Sequence, residues 1–427
     1  MQSATPVKQI IKIDGITEFL LPLILFGVSF YLLPWYLTIL LYLLILFSIK
    51  KEYVITAYVA FTFYNIMLTK DAPFWTSLIS SFGGLAITFF RIGILKRRFT
   101  PLLFIPISLI LGFVFSFLFF SMTEYYYLTG LKSLLQLVFL LAVIIIFTLI
   151  PERHLIASKK TFDKMMPSYI ISYALLAIIL YDFNDRFGAG SGPQCLALQM
   201  AFLLCYLCDE KQSNRFFQFI LLVIIFFTGS RTYFILAGMI LAYDYFRNSP
   251  LKIKIIVLVN AFIIASLILF LLPLTNSRFD YTSSTFWGTL FGRLKFYQYG
   301  FDLFWEHPIT GNGMGSMLKI LEEWVYHGGL KHYRERGDTT IVHNEYLRIL
   351  IETGLVGLSF VLYGVACVWK KMKEIQGRYI ILLFLLGSMV ENTLTLYTTG
   401  ALLFLILLFF INTQNKPAYK INQGFAP

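Results

Sequence analysis

Residues 216–246 read FFQFILLVIIFFTGSRTYFILAGMILAYDYF: two apolar runs, 216–230 and 232–246, meeting at Thr228-Gly229-Ser230-Arg231-Thr232. Each run has the length and composition of a helix, and the glycine and serine between them mark a turn. A segment of 15 residues spans about 22 Å at 1.5 Å per residue, less than the ~30 Å of bilayer hydrocarbon. The turn is therefore expected below the outer surface, with Arg231 sunk into a recess. An arginine at that depth costs roughly 2.5–3.5 kcal/mol on insertion scales and calls for an anionic partner. The plainer alternative is an arginine that snorkels from a helix end. Gly229 and Ser230 beside it favour close approach of a ligand instead.

The rest of the chain repeats this character. Hydrophobic residues make up 58% of 427, mean hydropathy is +0.73 and only 14% of residues are charged, which excludes an ordinary soluble domain. Apolar segments are expected at 16–32, 35–49, 53–69, 74–90, 101–121, 131–150, 167–181, 193–208, 216–230, 232–246, 253–272, 346–369, 379–392 and 398–412. The fold class is thus all-α, a polytopic membrane protein of about 12–14 helices. The opening residues MQSATPVKQIIKIDG show no cleavable-signal pattern. Residues 1–272 form the N-terminal membrane helices, 273–345 one long extracytoplasmic loop carrying short helices, 346–412 the C-terminal membrane helices and 413–427 a cytoplasmic tail.

The net charge of +12 does not point to nucleic acid, because its distribution follows the positive-inside pattern. With both termini cytoplasmic, inner segments hold 23 of the 35 lysines and arginines. They lie at 8–12, 50–51, 91–98, 153–164, 211–215, 247–254, 370–378 and 416–420. Outside the long loop and its edge at Arg348, the outer face has only Lys70, Lys132, Arg186 and Arg231. The four cysteines fall in or beside apolar segments. Cys205 and Cys208 have CxxC spacing but no second pair and no nearby histidine, so they read as small packing residues.

The long loop carries the remaining chemistry. Gly292-Arg293-Leu294 opens an amphipathic stretch through Tyr297, Phe301 and Phe304-Trp305 to His307-Pro308. Gly311-Asn312-Gly313-Met314-Gly315-Ser316 follows, a turn that either simply reverses the chain or presents N–H groups to phosphate. A short helix is expected at 316–327 with Trp324 on one face, then a solvated connector over 326–338. His343 stands just before the segment 346–369. Helical spacing places it one turn before Leu347, directed into the same recess as Arg231. It is read as structural or catalytic, with Asn344 and Glu345 beside it, and arginines at the same depth, bringing the catalytic reading level with the structural one. No HxxxH, HExxH or outer-loop DxD pattern occurs, so no bound metal is expected and arginines must neutralise charge.

Taken together these residues resemble the O-antigen polymerase/ligase superfamily of polytopic glycosyltransferases (Wzy- and WaaL-type). Thr228-Gly229-Ser230-Arg231-Thr232 resembles its T-x-S-R turn. Arg293 followed by Trp305-Glu306-His307-Pro308-Ile309-Thr310-Gly311-Asn312-Gly313-Met314-Gly315 resembles its R…hP-x-x-G-x-G-x-G block. His343-Asn344-Glu345-Tyr346-Leu347, with Glu352-Thr353-Gly354-Leu355-Val356-Gly357 behind it, resembles its H-N-x-x-L…E-x-G-x-x-G helix. Asp185-Arg186-Phe187-Gly188 to Pro193 is a fainter echo of an R-x-x-G…P stretch, lacking the asparagine usual there.

The resemblance implies an enzyme of the bacterial inner membrane that takes an undecaprenyl-diphosphate-linked oligosaccharide without nucleotide, metal or other cofactor. It implies Arg231 and Arg293 on the donor diphosphate, and His343 orienting or deprotonating the acceptor hydroxyl. Arg186, Ser230, Asn344, Glu345, Gly313 and Gly315 would support them. Membrane lipids, chain-length regulators and flippase proteins are the implied partners. A compact loop and about fourteen spans favour polymerisation of repeat units over ligation to an acceptor. A flippase or transporter is the rival from another class, but transporters usually show repeated halves and polar residues near the midplane.

Overall fold

The computed structural model describes residues 34–49, 53–58, 74–92, 107, 110, 111, 114, 124–180, 193–208, 215–271, 284–313, 315–317, 344–390 and 398–412. Its elements run α1 (Trp35–Ser48), α2 (Phe74–Ile92), α3 (Glu124–Leu149), α4 (Glu152–Leu180), α5 (Pro193–Tyr206) and α6 (Arg215–Phe227). They continue α7 (Arg231–Tyr245), α8 (Leu251–Leu271), α9 (Ser284–Glu306), α10 (Glu345–Lys371), α11 (Ile375–Ser388) and α12 (Thr398–Asn412). The described residues contain no strand, so the protein is all-helical there.

The centre of the bundle is α5. Every residue from Cys195 to Tyr206 is buried, as expected for a helix apolar on all sides, and α6, α7, α11 and α12 pack around it. Aromatic rings lock the outer layer: Phe384 stacks on Phe404 at 4.5 Å, Phe202 lies 5.8 Å from Phe404, and Phe162 lies 5.4 Å from Phe410. Arg91 of α2 reaches back to the last carbonyls of α1, donating to Leu46 O at 2.8 Å and Ile49 O at 2.5 Å. These are carbonyls the helix end would otherwise leave unmet.

One expectation needs correcting. Residues 151–166, read as a basic inner loop, are helical and continuous with the following segment in α4, with Pro167 inside the helix. Leu155, Phe162, Met165 and Met166 recur at helical spacing and are buried, so their packing outweighs the interruption by Lys159, Lys160 and Lys164. The axis bends by 111° between Leu137–Leu149 and His154–Ser168. Segment 16–32, and most of 53–69 and 101–121, lie outside the described residues. Among those described, Glu345–Lys371 is by length and composition the one helix long and apolar enough to cross a membrane unaided. The bent pair formed by α3 and the start of α4 passes the same test together, and several shorter apolar helices stand beside them.

The basic segments gather at one end of the bundle. Asp244, at the end of α7, meets Arg215 at 3.1 Å, Arg247 at 3.7 Å and the Tyr379 hydroxyl at 3.4 Å. Nearby, Asp163 accepts from Tyr206 Oη (2.6 Å) and Lys159 Nζ (2.7 Å), and Gln376 Nε2 donates to Tyr206 O. Cys208 Sγ donates to Leu204 O and accepts from the buried Gln218, which is the packing role its surroundings predicted. Residues 153–164, 211–215, 247–254 and 370–378 were assigned to one face by charge. Members of all four meet here.

Candidate active site

At the other end of α6 and α7, the turn is built by its own sequence. Gly229 takes φ +64°, a left-handed conformation that glycine adopts at little cost, and its N–H closes α6 on Phe226 O at 2.9 Å. Thr228 Oγ1 donates to Ile225 O and accepts from Ser230 N–H, which fixes the exit direction. Ser230 is buried at the N-cap of α7, but its side chain makes no capping bond to the helix. Arg231 is the first residue of α7. It is half-buried, and its guanidinium pKa is lowered first by burial and then by the positive charge of Arg293. The two arginines singled out from sequence thus lie within each other's field, although they come from helices 62 positions apart. Like charges in a partly dry recess attract an anion.

Arg293 is carried by α9, which begins at Ser284, well before the expected amphipathic stretch. Its buried face is Phe296, Gly300 and Phe304, while Phe301 and Trp305 are exposed. Phe296 and Phe304 form a small second core with Met317, Leu347 and Ile351. Gly300 lets α9 approach α10 closely, since a Cβ there would stand 3.0 Å from Ile351 and 3.1 Å from Leu347. Further along, Pro308 and Ile309 meet Leu355 and Val356, so α9 and α10 run parallel. Gly300 is level with residues one turn into α10, so Arg293, two turns before it, lies about one turn short of the start of α10.

That helix is broken, and the glycine loop fills the break. Gly354 has φ +66° and ψ −167° inside α10. The carbonyls of Ile351 and Glu352 accept from the N–H groups of Asn312 (2.7 Å) and Gly313 (3.1 Å). The N–H groups of Leu355 and Val356 donate to Pro308 O (2.9 Å) and Ile309 O (3.3 Å). Gly311, at φ +71°, faces Gly354: a Cβ on Gly311 would lie 2.4 Å from Thr353 N, and one on Gly354 would lie 2.2 Å from Ile309 O. Asn312 Nδ2 adds a bond to Leu303 O at 3.1 Å. Of the two readings of this turn, the geometry favours the structural one. Gly313 N–H serves Glu352 O and Gly315 N–H serves Glu352 Oε1, so neither points to a ligand.

Asn344 and Glu345 also have defined places. Asn344 is the extended N-cap of α10 and its Oδ1 accepts from Leu347 N–H at 3.0 Å. The helix therefore starts at Glu345. Glu345 is 1% exposed. His343, Arg186, Trp324 and the expected connector over 326–338 lie outside the described residues. Two buried charged residues beside the glycine loop stand outside the candidates drawn from sequence: Arg348 and Glu352, 6% and 3% exposed, paired at 3.3 Å across one helical turn. The E-x-G-x-x-G spacing held the signal for Glu352.

Residues 216–362 match the family model Wzy_C, described as O-Antigen ligase. No curated protein matches the chain. The matched stretch runs from the start of α6 through most of α10 and takes in the Arg231 turn, Arg293, the glycine loop and the broken helix, so the chain carries a Wzy_C domain, consistent with the O-antigen polymerase/ligase superfamily.

Proposed function

We propose that this protein is a polytopic membrane glycosyltransferase that polymerises undecaprenyl-diphosphate-linked oligosaccharide repeat units at the outer face of the bacterial cytoplasmic membrane. The observation that carries the reading is that Arg231 and Arg293, from two different helices, lie within electrostatic reach of each other, with Arg293 close to the start of α10. Two guanidiniums with overlapping fields suit the two phosphates of the donor. They would hold the diphosphate in the ground state and stabilise it further as the leaving group gains charge. His343 would take the proton of the acceptor hydroxyl. The acceptor oxygen then bonds to the anomeric carbon, the carbon–oxygen bond to the diphosphate breaks, and its electron pair leaves with the carrier lipid, inverting the centre. Charge neutralisation in this scheme rests on the arginines. Trp305, 70% exposed at the end of α9, offers a ring face to a sugar.

Ligation is the second reading, favoured by the family description itself. Polymerase and ligase would share the donor site and differ in the acceptor. Purified protein in nanodiscs with lipid-linked repeat units, without nucleotide or added metal, separates the two. Glycan lengthening on the carrier means polymerase, and transfer to a lipid or protein acceptor means ligase. No consumption of the lipid-linked donor overturns both.

A further inference from the structure

Beside the break in α10, the Glu352 carboxylate bridges two elements. Its Oε1 accepts from Gly315 N–H at 2.9 Å and its Oε2 from Arg348 Nε at 3.3 Å. One turn earlier, Arg348 N–H donates to Asn344 O at 3.0 Å, and Asn344 caps the helix. Two residues beyond Gly315, Met317 packs into the small core with Phe296 and Phe304 of α9 and Leu347 of α10. A continuous line of contacts thus runs from the helix that carries Arg293, through the glycine loop, to the N-cap of α10.

A buried ion pair is a poor source of stability, since apolar residues of similar volume often serve as well. The four backbone bonds at the break already hold the loop to the helix. What the carboxylate adds is geometry, a rigid fork with one oxygen on the loop and the other on the turn leading to Asn344. We propose that Glu352, held by Arg348, is a positioning residue that fixes the start of α10 in register with the helix carrying Arg293. This rests on the glycosyltransferase reading above.

The test is steady-state kinetics on full-length protein in nanodiscs with lipid-linked repeat unit as donor, paired with hydrogen exchange. Glu352→Ala should lower kcat about 10²-fold with donor KM within about twofold, the effect of misplacing a reacting group by about 1 Å. Glu352→Gln keeps an acceptor for Gly315 N–H and should recover part of that loss. Because Glu352→Ala removes the carboxylate facing the buried Arg348, R348M/E352Q is the companion variant; it should fold to wild-type levels and still show the kcat defect. Exchange over 309–317 should quicken at least tenfold in Glu352→Ala while the buried core of α5 stays protected. A kcat that falls only in step with the amount of folded protein, or a rise in KM alone, overturns the proposal. If wild-type protein consumes no donor, the functional reading fails, and unchanged exchange over 309–317 would separately refute the clasp.

Discussion

Arg231 sits where a cation is expensive, half-buried at a helix start with a second arginine acting on it. Burial and like charge both weaken proton affinity, yet a guanidinium so far above neutral pH keeps its charge. An anionic donor bound beside both guanidiniums would lower their mutual repulsion. Removing either guanidinium takes away a bidentate contact that strengthens as the diphosphate departs. Arg231→Ala and Arg293→Ala should each lower kcat/KM for lipid-linked donor about 10²–10³-fold while protein remains in the membrane. Lysine at either position should rescue poorly, because a point charge cannot match the planar fork. Normal glycan lengths from both alanine variants, read on gels of surface polysaccharide, would sink the assignment.

At the scale of elements, the loop and the break of α10 depend on two glycines that face each other. Gly311→Ala or Gly354→Ala forces an L-residue to positive φ, about 1–3 kcal/mol. Each also drives a Cβ to within 2.6 Å of backbone atoms that have no way to rotate aside. The combined loss should be about 3 kcal/mol or more and appear as a lowered melting temperature in detergent. Gly238→Ala is the internal control: its Cβ meets nothing within 4 Å, so helix propensity should leave stability equal or higher by up to about 1 kcal/mol. Equal melting temperatures for the three variants would contradict the interlocked loop. This region also marks what the sequence could tell. Helices such as α1, α6, α7 and α11 were legible because charged or turn residues bound their apolar runs. The helical start of α4 was not, since its lysines mask a buried stripe at Leu155, Phe162 and Met166. The glycines from 311 to 315 announced a turn, but nothing local tied Gly311 to Gly354, 43 positions away.

Across the whole molecule, the two ends of α7 hold opposite chemistry. Arg231 and Asp244 are 13 residues apart, about 20 Å along the axis, with the arginine pair at one end and the Asp244 cluster at the other. Between them the surface is apolar in stripes: Tyr36, Leu40, Leu44 and Phe47 on α1; Ile256, Val259, Phe262 and Ile263 on α8; Val356, Phe360 and Tyr363 on α10. Such continuous exposed patches suit lipid rather than water, and the basic end suits the cytoplasmic side. Asp244→Ala would leave Arg215 and Arg247 without their shared carboxylate, and, with both arginines partly open to solvent, it should cost about 1–3 kcal/mol of stability without changing donor affinity in the protein that remains folded.

The same polarity gives an orientation test. Cys195, Cys205 and Cys208 are buried and Cys367 is half-buried, so a Cys367→Ser background is quiet towards thiol reagents. Single cysteines are then introduced at two exposed positions, Asn248→Cys beyond α7 and Glu306→Cys at the end of α9. With a membrane-impermeant maleimide, Glu306→Cys should be modified in cells with only the outer envelope opened. Asn248→Cys should react only once the cytoplasmic membrane is breached. The reverse pattern would invert the orientation and move the proposed site away from lipid-linked glycan at the outer face. Equal reactivity on one side would mean that the arginine pair and the Asp244 cluster do not lie across a bilayer from each other.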